Sequence, residues 1–217
     1  MSPMKLTCFS RFRFISLSPV VLALMLAFSV NAAPRQPNDD SEVLERLPAR
    51  AGDASARELV ALRAAMAAAA KDPVPAARLA QRYFDLAMAR GDPRYVGYAE
   101  AVLAHFSEPL PASLRLVRGK LRQYRHGFDE ALKDFAEALA QDPQLAEAHA
   151  WRGAIFLVQA DYAAAQKECA ALQGLGQTVL FGTCIGLVQA YGGQLEAGYQ
   201  SLQRALATNR DPDNRLW

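Results

Sequence analysis

A chain of 217 residues carrying 24 basic and 22 acidic side chains is nearly neutral overall. That balance gives no support to a nucleic-acid function, which draws on a basic surface. The composition favours helix through Ala, Leu, Arg, Gln and Glu, and no cluster of Val, Ile and Thr alternates with polar residues as a strand would.

Residues 1–32 read as a secretory signal. Lys5, Arg11 and Arg13 give a positive start without an acid, Val20 to Val30 form an apolar run broken only by Ser29, and Val30-Asn31-Ala32 offers the spacing that signal peptidase reads. Cleavage is expected after Ala32. The run is too short for a relaxed transmembrane helix, which needs roughly 20 residues; an uncleaved signal anchor is the alternative. Cys8 precedes the run, so no cysteine follows it closely enough for lipid attachment, and no later stretch is long and apolar enough to span a membrane. Removing the signal takes three basic residues and leaves 21 against 22 acidic ones. The expected location is therefore periplasmic or secreted. Residues 33–54, with Pro34, Pro37, Pro48 and Gly52, read as a loose leader containing a short turn of helix over Glu42 to Leu47.

Turn and stop signals then divide the chain into nine expected helices: 55–71, 74–90, 94–106, 112–125, 128–141, 145–159, 161–173, 178–191 and 194–208. The breaks fall at Asp72-Pro73, Gly91-Asp92-Pro93, Pro109 to Pro111, Gly127, Asp142-Pro143, Gly174 to Gly176 and Gly192-Gly193. Helices this short, joined by loops this short, must pack antiparallel to their neighbours. A tail over 209–217 ends in Leu216-Trp217.

A period of about 34 residues runs through this region. Gly119 recurs as Gly153 and Gly186, Phe128 as Tyr162 and Leu195, Ala131 as Ala165 and Gly198, and Phe135 as Cys169 and Leu202. An apolar stripe of Leu114, Val117, Leu121 and Tyr124 is echoed by Ala148, Trp151, Ile155 and Val158, then by Phe181, Cys184, Val188 and Tyr191. Burial of that stripe places Gly119, Gly153 and Gly186 beside the core, facing the concave side. Two reasons for glycine there stay open: close helix packing, or close approach of a ligand backbone.

The stretch from Pro111 to Pro143, with Gly119, Ala131, Phe135, Ala138 and the closing Pro143 in order, resembles the tetratricopeptide repeat family. Residues 145–177 and 178–210 match it progressively less well, and the resemblance covers most of 55–208. It implies an all-α solenoid of tandem antiparallel helix pairs wound as a right-handed superhelix, with a concave surface that holds protein or peptide partners. The positions lining that surface, in the register of the apolar stripe, are Arg115, Gly119 and Arg122, then His149, Gly153 and Phe156, then Gly182, Gly186 and Gln189. Arg115, Arg122, His149, Phe156 and Gln189 are the side chains expected to meet a partner.

Nothing in the chain suggests catalysis, a cofactor or a metal. It lacks closely spaced metal ligands, a haem-attachment motif, a phosphate loop and a Gly-x-Ser-x-Gly elbow. His105, His126 and His149 are scattered, and Glu168 reads as a solubilising surface acid. Arg115, Arg118, Arg122 and Arg125 recur at helical spacing with no acid in the same stretch, so they are expected either to be a solvated face or to take an acidic peptide bidentately. Cys169 and Cys184 fall on core-facing slots of consecutive antiparallel helices. Each is a small buried apolar residue, or, given export, the two form a disulfide. The expected function is an exported interaction module: a scaffold, adaptor or assembly factor. The alternative is a structural subunit of an envelope complex, docked end-on through its C-terminal repeat.

Overall fold

The structure, a computed structural model, describes residues 36–39, 41–42 and 53–209. The chain divides into two compact units, 1–48 and 49–217. In the first, the described residues make a turn in which Asp39 Oδ1 accepts from the Ser41 backbone N–H at 2.7 Å and its hydroxyl at 2.5 Å. The expected signal, its cleavage point at Ala32 and the tail after Asn209 lie outside the described residues, as does the expected turn of helix beyond Glu42.

The second unit contains, among the described residues, nine helices and no strand: α1 (Ala54–Ala68), α2 (Pro73–Arg90), α3 (Arg94–Leu103), α4 (Ala112–Tyr124), α5 (Phe128–Gln141), α6 (Ala146–Val158), α7 (Tyr162–Gly174), α8 (Thr178–Tyr191) and α9 (Leu195–Thr208). Local chemistry sets their starts. Asp53 caps α1 by accepting from the backbone of Ser55 and Ala56, Asp72 caps α2 from Val74 with Pro73 at the first helical position, and Asp161 caps α7 from Ala164. The expected ends at 71 and 106 come three residues earlier, at Ala68 and Leu103. The turns inside the three later pairs share one left-handed residue: His126 at φ 61°, Ala160 at 59° and Gly193 at 89°. The repeat is thus written in backbone conformation as well as in side chains.

Helices α2, α4, α6 and α8 form one layer, each touching the next, and α3, α5, α7 and α9 pack as their respective antiparallel partners. Helix α1 rests on α2, tied by an Arg63 Nε bond to the Tyr83 hydroxyl at 2.7 Å and an Arg82–Glu58 ion pair at 2.8 Å. The first-helix layer is the inner face of such a solenoid. Two apolar clusters fill the interior. The larger runs from Leu59 to Ile155 around Phe84, Leu114 and Phe135; the smaller holds Ala150, Ala165, Cys169, Leu172, Cys184 and Val188.

The apolar stripe is buried as expected through Leu114, Val117, Leu121, Ala148, Trp151, Ile155, Cys184 and Val188. It runs out at Val158 and Tyr191, each 66 % exposed at the last residue of its helix. The glycines differ from expectation. Gly119 and Gly186 face the second helix of their own pair rather than the concave side, and Gly153 stands between Glu168 of its own pair and Cys184 of the next. A Cβ on Gly119 would lie 2.5 Å from the Phe135 ring, one on Gly153 would lie 3.3 Å from Cys184 Sγ, and one on Gly186 would lie 2.8 Å from Leu202. Close packing explains them, and no ligand backbone is needed. Cys169 and Cys184 are joined by a disulfide that links α7 to α8, with Cα atoms 5.5 Å apart.

Candidate functional site

Turning the glycines toward the second helices turns their neighbours too. Arg115, buried at 7 %, donates from Nε to the Leu110 carbonyl at 3.0 Å, pairs with Glu108 at 2.7 Å, and pairs also with Glu137. Arg118 grips Asp134 from Nε and Nη2 at 2.7–3.1 Å and reaches Glu108 at 2.7 Å. Arg122 Nη1 bonds Asp134 Oδ2 at 2.7 Å, and Arg125 pairs with Glu100 at 2.6 Å. Every arginine of the stripe therefore has a carboxylate partner, supplied by other elements of the fold. The positive charge that α4 carries without an acid in the same stretch is answered by α5, α3 and the α3–α4 connection. Hydrogen bonding to Asp134 raises the Arg118 pKa, and the bond from Arg118 holds the Glu108 carboxyl below its ordinary range.

The arrangement recurs at the repeat period. Asp134, Glu168 and Ser201 occupy one slot on α5, α7 and α9, and all three are buried. Glu168 takes His149 Nδ1 at 2.7 Å and Arg152 Nη2 at 2.9 Å, so it is an interior acid and not the surface residue expected. Ser201 Oγ donates to Gln189 Oε1 at 2.9 Å. Phe156 lies under the Arg152 guanidinium at 6.0 Å and packs on the smaller core cluster. Arg115, Arg122, His149 and Gln189 thus point at the second helix of their own pair and join its two halves. A carboxylate three residues after Ala131, on the core-facing side of α5, was the sequence signal for this (recurring as Glu168 after Ala165).

Between α3 and α4 a cavity of about 330 Å³ has an apolar floor of Leu103, Phe106, Leu110 and Leu121 under Arg118, Arg122 and Arg125. Those guanidiniums already face carboxylates.

The inner face falls one position further on, at Lys120, Ala154 and Leu187. Lys120 has no exposed surface; its ammonium donates to Gln81 Oε1 on α2 at 2.6 Å and to Glu147 Oε1 on α6. Desolvation lowers the Lys120 pKa against the pull of Glu147, and desolvation raises that of Asp85, which accepts from Gln81 Nε2 at 2.6 Å. Toward the C-terminus this polar group gives way to Ala150, Ala154, Leu157, Leu180, Thr183 and Leu187 between α6 and α8. Among the described residues no group of His, Cys, Asp or Glu is placed to hold a metal ion, and no helix is long and apolar enough to cross a membrane.

No family model matches the chain, and no curated protein matches it. Solved structures do. The crystal structure of MamA shares 15 % identity at a TM-score of 0.53, over 74 % of this chain and 95 % of that one. TTC0263, a thermophilic TPR protein of Thermus thermophilus, shares 18 % identity at 0.58, over 75 % of this chain and 87 % of that one. At such identities the likeness shows the fold, an all-α solenoid of helix pairs.

Proposed function

We propose that the chain is an exported module that holds a protein or peptide partner on the inner face of its solenoid, as a scaffold, adaptor or assembly factor. The supporting observation is the composition of that face: an apolar strip from Ala150 to Leu187, bounded at one end by the half-exposed Glu147 and by Asp85. An apolar strip beside fixed charge is what a peptide groove offers, with burial giving affinity and charge giving register. Of the residues expected from sequence to touch the partner, Arg122, His149, Phe156 and Gln189 keep part of their surface open, whereas Arg115 acts behind them as a support. The test is recovery of a partner from envelope extract with Leu157→Arg or Leu187→Arg. Recovery should fall while helix content holds, and undiminished recovery overturns the inner-face reading. Export itself is tested by intact mass, which should begin at Ala33.

A second reading, end-on docking in an envelope complex, draws on the last pair. Tyr191, Leu195, Tyr199 and Leu206 are 57–75 % exposed. They repeat the positions of Tyr124, Phe128, Leu132 and Leu139, which pack against the larger core cluster. The last described pair thus exposes the apolar residues that earlier in the chain are covered. Tyr199→Glu with Leu206→Glu should abolish this mode and leave inner-face capture intact.

A further inference from the structure

The buried polar group inside each pair changes character along the chain, and the last pair is left incomplete. The α4–α5 pair holds Arg115 and Arg118 on the first helix against Asp134 and Glu137 on the second. In α6–α7 the same slots hold His149 and Arg152 against Glu168. In α8–α9 the two cation slots are Gly182 and Ile185, the acid slot is Ser201, and the slot of Glu137 is Arg204. The charge pattern has been inverted and its first-helix half removed.

Two consequences are visible. The volume that Arg115 and Arg118 occupy in the earlier pair is open here: a cavity of about 280 Å³ lined by Thr178, Phe181, Gly182, Ile185, Ser201, Arg204, Ala205 and Thr208. Its floor is set by Gly182, where a Cβ would stand 3.0 Å from Ala205 Cβ. Arg204, for its part, donates from Nη2 to Ser201 Oγ at 3.1 Å and has no carboxylate partner among the described residues. The α4–α5 and α6–α7 pairs answer their cations with an acid of their own; this pair has the cation and a space beside it.

We propose that this cavity is a binding site for a small carboxylate with an apolar body, the carboxylate answering Arg204 and the body seated on Phe181, Ile185 and Ala205. The volume lies just below the range of drug-sized sites, about 300–1,000 Å³, so the ligand is no larger than one bulky side chain with its acid. A guanidinium takes a carboxylate through two parallel N–H bonds, and the Thr178 hydroxyl adds a further donor at the rim, those of Ser201 and Thr208 being donated to Gln189 and to the α9 backbone. The site stands on the cavity between α8 and α9 and not on the inner face, so either reading can fail without the other.

Two sources carry this chemistry: a free apolar acid, and the carboxyl end of a peptide with an apolar last residue. Calorimetric titration of the full chain with 4-phenylbutyrate and with N-acetyl-Leu-Phe separates them, each run beside its amide. Saturable binding is expected, weakened about tenfold or more, the equivalent of one charged contact, in the amides and in Arg204→Gln. Arg204 is an exposed residue, so that variant keeps its fold; Ile185→Arg, which restores the side chain of the earlier pairs, should remove binding altogether. Tighter binding of the dipeptide assigns the site to a peptide end and tighter binding of 4-phenylbutyrate to a free acid, and both uphold the shared chemistry. Equal affinity for acid and amide, equal affinity in Arg204→Gln, or no saturable binding at millimolar concentration overturns it.

Discussion

Replacing Asp134 by Ala tests whether the buried polar slot holds the pairs together. Its side chain is 1 % exposed and receives Arg118 through two nitrogens and Arg122 through one, with Arg115 3.7 Å away. Removing one partner of a fully buried ion pair costs about 3–5 kcal/mol. Two facts reduce that figure here. Arg118 and Arg122 are 23 % and 36 % exposed, so water can reach them, and Arg115 and Arg118 keep Glu108. A loss of about 2–4 kcal/mol remains. At about 2–4 °C per kcal/mol for a chain of this size the midpoint of thermal unfolding should fall by about 5–15 °C. The assay is urea and thermal denaturation followed by circular dichroism, with the exposed Lys133→Ala as control. A cycle with Arg118→Ala should show a coupling of about 1 kcal/mol or more. If Asp134→Ala costs no more than Lys133→Ala, the slot is incidental and the reasoning about paired helices fails.

Four further outcomes are expected. Gly119→Ala pushes a methyl into the Phe135 ring and should destabilise by about 1–2 kcal/mol, the overpacking cost exceeding the gain in helix propensity. Gly97→Ala, with nothing within 4 Å, should stabilise by about 0.5–1 kcal/mol; denaturant midpoints check both. Reducing the bridge between Cys169 and Cys184, which are 15 residues apart, should cost about 3 kcal/mol. Thiol labelling of the denatured protein, with and without reductant, verifies that the two sulfurs were joined. Burial raises the Asp85 pKa, so the folded chain binds this proton more tightly than the unfolded one. Stability from this group is complete below the unfolded value, about 3.9, and is lost as pH rises through the folded value. Asp85→Asn, which keeps an acceptor for Gln81, should therefore raise the urea midpoint most near neutral pH and not at all in acid.

Much of the fold could be read from spacing, because a helix pair stacked on copies of itself repeats its packing chemistry. Gly119, Ala131 and Phe135 mark where two helices touch, and those contacts are where the structure puts them. Which way the first helix faces was harder. Arg115 and Lys120 are both cations on α4, and nothing local marks Lys120 as the one with no exposed surface. Its partners, Gln81 and Glu147, are 39 and 27 residues away, beyond any helical periodicity. The arginine stripe failed as a free patch for the same reason. Its acids lie on α3, on α5 and in the α3–α4 connection, so a window confined to α4 sees charge without its counterpart. The cysteines were legible because both partners fell on core slots of adjacent helices.

Lys120 also bears on how the solenoid can flex. Bending such a stack changes the spacing of successive first helices along the inner face. From α2 to α6 any change must stretch an ammonium that holds Gln81 on one side and Glu147 on the other, a rivet through three helices with no water in which to find substitutes. From α6 to α8 the inner face offers only apolar contacts around Ala154 and Leu187, which can slide by fractions of an ångström without breaking a directional bond. The inner face is therefore held by directional bonds toward its N-terminal side and by apolar contact toward its C-terminal side, where the Cys169–Cys184 bridge between α7 and α8 ties the two pairs. Any change of curvature at the α6–α8 seam is thus a pivot about that bridge, beside the strip on which a partner would lie.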